Sequence, residues 1–254
     1  MAMKALLLDL QGVLFEDGTP LPGAVEAVRQ ARAENRILRF VTNTATRHPA
    51  AILEDLWVMG FEVDEGELFT APLAARNFLL RQRWRPHALV HPAIRSLFDD
   101  LAGISDHGVE PDCVVLGDAR DDLNYANLNV VYRLVRAGCP LIGIGMNRCF
   151  REGGEWMLDA GAFIRAIEWA AHTEALVMGK PSAAFFDELV ASTGVAARDC
   201  LMIGYDVEAD VGGAMARGIA GCLVRTGKFQ EADRDRLPEG AALIGSITEW
   251  SLAA

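Results

Sequence analysis

Cysteine pairs with the spacing of disulfide or metal sites are missing from this chain of 254 residues. Its five cysteines are an odd number, they stand far apart, and no CxxC pair occurs. The sequence therefore predicts neither a disulfide framework nor a thiolate zinc site, and a reducing cytoplasm suits it best. His87 and His91 are four residues apart, but the apolar residues between them indicate a strand. In a strand the two rings would lie roughly 13 Å apart, too far to share a metal.

Long apolar runs are also missing, since none approaches the roughly 20 residues that cross a bilayer. The apolar run at 5–8 is followed directly by Asp9, without a small-residue cleavage site. We therefore expect a buried strand there rather than a signal peptide, and no membrane partner. Low-complexity stretches are absent and 51% of the residues are hydrophobic, which excludes a disordered chain.

Basic residues are scarce relative to acidic ones, with 24 Lys and Arg against 35 Asp and Glu and a net charge of −11. An acidic surface repels phosphate backbones, so we expect no nucleic-acid partner. Aromatic residues make up only 7% of the chain, and its five tryptophans are scattered, which favours packing over a binding platform. A soluble acidic enzyme remains compatible with these counts, and so does a small anionic substrate, because a small site can be locally positive.

Short apolar runs alternate with amphipathic segments along the whole chain. Residues 5–8 and 200–203 are apolar runs typical of buried parallel strands, and residues 37–41, apolar except for Arg39, indicate another strand. Residues 24–33 carry apolar side chains at helical spacing, and Pro49 begins a second helical pattern. The alternation predicts an α/β fold with mostly parallel strands, and it leaves open whether there are one or two sheets.

Four short motifs place polar residues at or near predicted strand ends. Asp9 ends the first apolar run, and Gly12 follows it at a predicted turn. Taken alone, each motif is as well explained by a polar strand end and a turn, or by a solvated lysine. In open parallel sheets, however, ligands bind at the carboxyl ends of the strands. The other three motifs are Thr42 with Asn43, Lys180 between Gly179 and Pro181, and the segment with Tyr205, Asp206 and Asp210.

Together and in this order, the four motifs resemble the haloacid dehalogenase-like (HAD) superfamily of phosphohydrolases, over nearly the whole chain. Within it, the chain is similar to the subgroup with a large α/β cap between the second and third motifs, and to the phospholysine phosphohistidine inorganic pyrophosphate phosphatase-like group. The resemblance implies a doubly wound, mostly parallel Rossmann-like core at 1–72 and 178–254, and an inserted cap at 73–177. Candidate substrate contacts in the cap, which are equally well explained as helix caps and turns, are Asp118, Asn124, Tyr125, Asn147 and Arg148.

The resemblance also implies roles for single residues. Asp9 would be the nucleophile that forms an aspartyl-phosphate, which water then hydrolyses. Lys180 would neutralise charge between the nucleophile and the phosphate. Mg²⁺ would be held by Asp9, by the backbone carbonyl of Gln11 and by an acid of the fourth motif. The further residues that this resemblance assigns are Gly12, Thr42, Asn43, Asn147 and Arg148 for the phosphoryl group and substrate, and Asp206 and Asp210 for the metal. Of these two acids, Asp210 is better suited to orienting Lys180 or a metal-bound water.

Two positions depart from the superfamily pattern. Gln11 stands where an Asp usually serves as general acid and base, although related members of the subgroup also lack that Asp. An amide does not exchange a proton at neutral pH, so good leaving groups such as phosphoramidates or pyrophosphate would suffer least. Tyr205 stands where a metal-binding acid is usual, and a neutral phenol is a poor Mg²⁺ ligand. Glu16 or Asp17, nearby in sequence, could substitute for a lost acid.

These observations lead to one main expectation and two alternatives. We expect a cytoplasmic, Mg²⁺-dependent phosphohydrolase that acts on a small phosphorylated, phosphoramidate or pyrophosphate substrate and could form a homodimer. The first alternative, motivated by Gln11 and Tyr205, is a catalytically weakened or inactive protein that binds a ligand or a partner. The second is carbon–halogen hydrolysis, which needs the same nucleophile but no metal and which the cap type disfavours.

Overall fold

The computed structural model describes residues 3–103 and 110–253 of the chain. The described residues fall into two compact units. We call these the first unit (Met1–Thr42, Pro49–Phe69 and Lys180–Ala254) and the second unit (Asn43–His48 and Thr70–Gly179).

Strands and helices alternate along both units. The strands are β1 (Ala5–Asp9), β2 (Phe15–Glu16), β3 (Thr19–Pro20), β4 (Ile37–Thr42), β5 (Leu68–Thr70), β6 (Pro86–Leu89), β7 (Cys113–Leu116), β8 (Leu141–Ile144), β9 (Cys149–Glu152), β10 (Glu155–Leu158), β11 (Leu176–Met178), β12 (Cys200–Gly204), β13 (Ala220–Val224) and β14 (Ala242–Ile244). The helices are α1 (Ala24–Ala33), α2 (Pro49–Val58), α3 (Ala71–Gln82), α4 (Ser96–Asp99), α5 (Tyr125–Arg136), α6 (Ala160–Ala171), α7 (Ala183–Thr193), α8 (Gly213–Met215) and α9 (Asp233–Arg236).

Two sheets organise these strands. A six-stranded sheet has the order β14-β13-β12-β1-β4-β5, and a four-stranded sheet in the second unit has the order β11-β8-β7-β6. β1 pairs in parallel with β4 and β12, β12 with β13, and β13 with β14. All three pairs of the four-stranded sheet are parallel as well. The predicted α/β fold with mostly parallel strands is therefore confirmed, with two sheets rather than one.

β1 is the central strand of the first unit, and every one of its residues is buried. Leu6, Leu7 and Leu8 are at most 1% exposed. Burying a leucine side chain contributes about 1.5–3 kcal/mol to folding, so this run is a strong determinant of the sheet. The continuous apolar run arises because both faces of β1 are covered, as is typical of parallel strands.

α1 shows how the sequence pattern becomes a packed helix. Ala24, Ala27, Val28 and Ala31 are its buried residues, at helical spacing. Gly23 precedes the helix with a φ of 77°, a left-handed conformation that glycine adopts without strain. The predicted range 24–33 therefore corresponds to a helix with the same limits.

The second unit has its own core around the four-stranded sheet. Val114, Leu116, Val131 and Ile164 belong to one buried cluster from β7, α5 and α6. The antiparallel hairpin β9–β10 follows β8, and all four residues of β10 are exposed. Because its strands are short and largely exposed, the hairpin depends on its turn for its register.

Within the described ranges, no helix is both long and apolar enough to cross a membrane. All five cysteines are free thiols, and three of them are buried. This agrees with the prediction that the chain has no disulfide framework.

Candidate active site

Three of the four motifs lie at the carboxyl ends of neighbouring strands in the six-stranded sheet. Asp9 ends β1, Thr42 ends β4 and Gly204 ends β12. The strand order runs in opposite directions on the two sides of β1, with β4 and β5 on one side and β12, β13 and β14 on the other. In open parallel sheets, ligands bind outside the carboxyl ends of the strands at such a switch point. The fold therefore brings residues of these motifs to a position suited to ligand binding.

Asp9 is a buried carboxylate of which one oxygen accepts a hydrogen bond and the other accepts none. It is only 4% exposed. Its Oδ1 accepts a hydrogen bond from Lys180 Nζ, whereas no described group donates a hydrogen bond to its Oδ2. Burial raises the pKa of Asp9 to about 7, although the Lys180 ammonium opposes this rise. A buried acceptor without a partner is costly, so Oδ2 is suited to meeting a reactant or a cation.

Lys180 lies between two buried carboxylates. Its Nζ donates to Asp9 Oδ1 and, over 2.6 Å, to Asp210 Oδ1, and its side chain is 5% exposed. Burial alone would lower the pKa of Lys180, but the charges and hydrogen bonds of Asp210 and Asp9 outweigh it and raise the pKa. The ammonium is therefore charged at neutral pH and fixed beside the Asp9 carboxylate.

Asp210 holds both Lys180 and the loop that follows β12. It is fully buried. Its Oδ2 accepts hydrogen bonds of 3.1 Å from the backbone N–H groups of Tyr205 and Asp206. A Cβ atom on Gly204 would lie 2.2 Å from the Cβ of Asp210, so only glycine admits this close approach. Since both oxygens of Asp210 accept hydrogen bonds, the geometry favours an orienting role, and the predicted metal ligation would require one of these bonds to open.

Asp206 caps the segment after β12 and is paired with a lysine. Its Oδ1 accepts hydrogen bonds from the backbone N–H groups of Glu208 (2.9 Å) and Ala209 (2.8 Å), and its Oδ2 accepts one from Lys228 Nζ. Burial would raise the pKa of Asp206, but the hydrogen bonds from Ala209 and Lys228 lower it. The segment after β12 is π-helical over Val207–Gly212, and Asp210 on this segment contacts Lys180.

The phenol ring of Tyr205 packs between two glycines and a lysine. A Cβ atom on Gly12 would lie 3.0 Å from the ring, and one on Gly227 would lie 2.9 Å from it. Lys228 Nζ lies 4.9 Å from the ring centroid, within the range of a cation–π interaction. Burial and the nearby Asp9 charge raise the pKa of Tyr205, so the phenol is neutral at physiological pH. The ring therefore occupies space beside the first motif without adding a negative charge.

The oxygen atoms of this site fit Mg²⁺ only in part. Each oxygen of Asp9 keeps an unused lone pair, because Oδ1 accepts one hydrogen bond and Oδ2 accepts none, so Oδ1 can bind a cation while Oδ2 meets a reactant. By contrast, Asp206 and Asp210 use both of their oxygens in hydrogen bonds. Among residues 3–103 and 110–253, no group of three or more His, Cys, Asp or Glu side chains is arranged to hold a metal. Metal binding through Asp206 would therefore require its pairing with Lys228 to open.

Gln11 and Gly12 form the turn after β1. Gln11 is exposed and makes an isolated bridge to Phe15. Gly12 has a φ of 76°, its N–H donates to the Phe15 carbonyl over 2.8 Å, and its carbonyl accepts from Thr226 Oγ1 over 2.5 Å. The close packing of Tyr205 and the left-handed backbone both require glycine at position 12. The predicted roles of these two residues in catalysis and phosphate binding stay predictions.

The remaining predicted residues are dispersed over both units. Thr42 is 9% exposed at the end of β4. Asn43 begins the second unit, and its Oδ1 would lie 3.4 Å from a Cβ atom on Gly179. Asn147 and Arg148 are exposed in the second unit, where their carbonyls accept backbone hydrogen bonds from Gly161 (3.0 Å) and Asp159 (3.1 Å). Their roles in substrate binding stay predictions, as do those of Glu16 and Asp17 near the hairpin β2–β3.

Two other residues of the second unit that were predicted to contact substrate accept hydrogen bonds from neighbouring backbone N–H groups. Asn124 caps α5, because its side chain accepts a hydrogen bond from the Asn127 N–H over 3.1 Å. Asp118 is buried and accepts from the Arg120 N–H over 3.0 Å. For these two residues the geometry favours the helix-cap and turn interpretation. Tyr125 is 86% exposed at the start of α5.

Sequence reasoning missed Lys228 and Thr226. Both follow β13, whose last four residues are buried like β1 and β12, the strands that precede the first and fourth motifs. Thr226 ties this segment to Gly12, and Lys228 contacts both Asp206 and Tyr205. The available signal was a polar segment directly after an apolar run, at residues 225–228. It was not distinctive, because lysine and threonine are common in surface turns.

Comparison with known proteins agrees with the geometry. A haloacid dehalogenase-like hydrolase domain matches residues 6–102, and a HAD-hydrolase-like domain matches residues 177–250. The haloacid dehalogenase-like hydrolase domain-containing protein 2 of Bos taurus is 40% identical over 236 residues, which cover 93% of this chain and 89% of the relative. The phospholysine phosphohistidine inorganic pyrophosphate phosphatase of Bos taurus is 39% identical over 238 residues, which cover 91% of this chain and 86% of the relative.

Solved structures show the same fold. A p-nitrophenyl phosphatase from Archaeoglobus fulgidus is 25% identical with a TM-score of 0.87, and the match covers 100% of both chains. NagD from E. coli K-12 has a TM-score of 0.85 at 22% identity over 98% of both chains, a likeness of fold. The predicted resemblance is therefore confirmed: the chain belongs to the haloacid dehalogenase-like hydrolase family and is an enzyme of its phosphatase type.

Proposed function

We propose that this protein hydrolyses small phosphorylated compounds through a covalent intermediate on Asp9. The observation that carries the proposal is the pair of Asp9 and Lys180. The Asp9 carboxylate is buried at the switch point of the sheet, with one oxygen fixed by the Lys180 ammonium and the other without a donor. Phosphoryl transfer depends on such positioning and on charge neutralisation.

The two oxygens of Asp9 have separate tasks in this proposal. Lys180 holds Oδ1, so Oδ2 attacks the phosphorus, and the bond to the leaving group breaks with its electron pair going to the leaving group. Water then attacks the phosphorus of the aspartyl-phosphate, and the P–O bond to Asp9 breaks with its electron pair returning to the carboxylate. One proton of the water stays on the inorganic phosphate and the other passes to the phosphate or to solvent. Lys180 stays charged throughout and offsets the negative charge that accumulates beside Asp9.

Mg²⁺ is part of the proposal as a bound cofactor. Asp9 Oδ1, the backbone carbonyl of Gln11 and Asp206 would hold it, which leaves Asp9 Oδ2 for the attack. Asp206 would do so only after Lys228 has moved away. When bound, the cation would neutralise charge on the phosphoryl oxygens. Thr42 and Asn43 would bind the same phosphoryl group through their side-chain hydrogen bonds.

The substrate class follows from Gln11. An amide cannot give a proton to the leaving group, and the loss of general acid catalysis typically costs about 10²–10⁴ in rate. Phosphoramidates and pyrophosphate carry better leaving groups than alkyl phosphates, so we propose them as preferred substrates. The name of the Bos taurus phosphatase, which specifies phospholysine, phosphohistidine and pyrophosphate, supports this class.

We further propose that residues 73–177 act as the substrate-specificity cap on a core of 1–72 and 178–254. The compactness of the second unit supports this division. A cytoplasmic location, a homodimer and the absence of nucleic-acid and membrane partners complete the proposal. Light scattering tests the homodimer, for which we expect twice the mass of a single chain, whereas a single-chain mass would contradict it.

The experiment is a substrate panel of phosphoramidates, pyrophosphate and aryl phosphates. It is assayed with Mg²⁺, with EDTA, and with Asp9→Asn. We expect turnover with Mg²⁺ that is lost in both controls. Turnover that survives EDTA would exclude the metal-dependent mechanism, and turnover that survives Asp9→Asn would exclude Asp9 as the nucleophile.

A catalytically weakened phosphatase that mainly binds a ligand is the second candidate, and the positions of Gln11 and Tyr205 favour it. Tyr205 adds no negative charge to the site, and both acids of its segment are hydrogen-bonded. This candidate predicts turnover of every panel member near the limit of detection together with measurable binding of a phosphorylated metabolite. The same panel, followed by calorimetry on the unreacted compounds, separates the two candidates.

A further inference from the structure

Lys228 and Asp206 form an ion pair at the edge of the candidate active site. Asp206 Oδ1 already accepts two backbone N–H groups as the cap of the following segment. Its Oδ2 is therefore the oxygen that a cation can reach, and Lys228 Nζ donates to this atom. The ammonium thus stands at the position through which Asp206 would bind a metal.

Several contacts fix Lys228 at this position. Its Nζ lies 4.9 Å from the centroid of the Tyr205 ring, so the phenol adds a cation–π contact to the ion pair. Thr226, two residues earlier, donates to the Gly12 carbonyl over 2.5 Å. A Cβ atom on Gly227 would lie 3.0 Å from the Cα of Gly12, which shows how closely the two segments pack. The packing of its neighbours against Gly12 therefore fixes the backbone of Lys228, and the contacts with Asp206 and Tyr205 fix its ammonium group.

We propose that Lys228 competes with the divalent cation for Asp206 Oδ2, so that the metal binds only when this ion pair opens. The proposal rests on the metal site of the proposed function. Because the Lys228 ammonium donates to that oxygen, an arriving cation meets a like charge at hydrogen-bond distance and is repelled. Tyr205 strengthens the competition, because it supports Lys228 and supplies no charge for the metal.

The test is a metal-binding titration of the intact chain that needs no turnover. Mn²⁺ binding is followed by electron paramagnetic resonance of the free ion, and Mg²⁺ binding by calorimetry. Lys228→Met keeps the length of the side chain and removes its charge. We expect this variant to bind both ions up to about fivefold more tightly, since a partly exposed ion pair contributes up to about 1 kcal/mol.

A matched control is available on the same unit. Lys4 pairs with Asp199 over 2.9 Å, and its side chain is 63% exposed, compared with 59% for Lys228. Lys4→Met removes the same charge from the protein but touches no predicted ligand. Its metal affinity should equal that of the unmodified chain.

A double-mutant cycle with Asp206→Asn identifies the atom for which the two cations compete. Asn keeps the Oδ1 acceptor that caps the segment, but it removes the charge of the carboxylate. If the inference holds, Asp206→Asn weakens metal binding and Lys228→Met no longer improves it in that background. If Lys228→Met increases the metal affinity equally with and without Asp206→Asn, Lys228 acts only by long-range repulsion, and the inference is overturned.

Other outcomes also decide the question. Unchanged affinity in Lys228→Met would overturn the inference, as would the absence of metal binding in every variant. The proposed function fails separately, through turnover that survives Asp9→Asn or EDTA in the substrate panel. If turnover requires Asp9 but the metal affinity is the same in Lys228→Met as in the unmodified chain, only this inference is refuted.

Discussion

Lys180 is the cation that compensates two buried carboxylates in the first unit. It lies between Asp9 and Asp210, and all three side chains are at most 5% exposed. Replacing it with Met would leave two buried carboxylates without their cation. Because an uncompensated buried charge typically costs about 3–5 kcal/mol, we expect Lys180→Met to be strongly destabilised and inactive.

Urea unfolding followed by circular dichroism measures this effect. Lys4→Met is the control, since its ion pair is exposed and should contribute at most about 1 kcal/mol. A Lys180→Met variant with unchanged stability would show that the charges of Asp9 and Asp210 are compensated by other groups.

Gln11 provides a prediction about leaving groups. Gln11→Asp would place a proton donor two residues after Asp9, where the family usually has one. We expect the variant to hydrolyse alkyl phosphates at least about tenfold faster, and p-nitrophenyl phosphate with little change, because p-nitrophenolate leaves without protonation. Steady-state rates on matched alkyl and aryl phosphates test this, and an equal effect on both would contradict it.

The five thiols should differ strongly in reactivity. Burial raises the pKa of Cys113 and Cys222 to about 12, so at pH 8 roughly one molecule in ten thousand carries the thiolate at either position. Cys149 is exposed. Ellman's reagent at pH 8 should therefore modify one thiol rapidly in the native protein and all five after denaturation. Cys149→Ser should remove the rapid phase, and rapid modification of any of the three buried thiols in the native protein would contradict their burial.

Single residues also show where sequence reasoning stops. Asp9, Thr42 and Lys180 follow or precede apolar runs, and their order along the chain was sufficient to indicate the family. The pairing of Lys228 with Asp206 joins segments 22 residues apart and on different strand ends. Such pairing depends on which strands become neighbours in the sheet, and no local pattern specifies it.

At the scale of elements, the segment after β12 combines a glycine, an acid and a π-helical turn. A Cβ atom on Gly204 would meet Asp210 at 2.2 Å, so Gly204→Ala must displace the side chain that holds Lys180. We expect a loss of activity of at least about 10²-fold, as for other displaced positioning groups. Gly66→Ala is the control, because nothing lies within 4 Å of its added Cβ.

Kinetics and unfolding of both variants test this prediction. Gly204→Ala should lose activity and stability, whereas Gly66→Ala should retain both. Full activity in Gly204→Ala would show that Asp210 can move without disturbing Lys180.

Element prediction succeeded where periodicity was clear and failed where strands were short. The limits of α1 followed from its apolar spacing and the glycine before it. The hairpin β9–β10 was not predicted, although Gly153 and Gly154, with φ values of 58° and 88°, form the kind of Gly-Gly turn that joins antiparallel strands. Its strands are mostly exposed, so no buried alternation marked them.

At the scale of the whole molecule, chain order determines when the first unit can be completed. β1 pairs with β4 near the beginning of the chain and with β12 near its end, as in the pair Leu8 and Ile203. Long-range pairing of this kind is slow to form, because distant segments must meet before they gain contacts. The apolar strand that ends at Asp9 therefore has one neighbour available early and the other late.

This order has a consequence for protein synthesis. The ribosome makes roughly 200 residues between β1 and β12, which takes about 10–40 s at 5–20 residues per second. During that time one edge of β1 lacks its partner, and its apolar residues are available for binding by a chaperone. Nascent chains arrested before residue 200 should therefore be digested rapidly by protease within β1, and chains arrested with residues 1–254 outside the exit tunnel should resist. Equal protection of both would mean that the strand carrying the nucleophile is sheltered before its second neighbour has been translated.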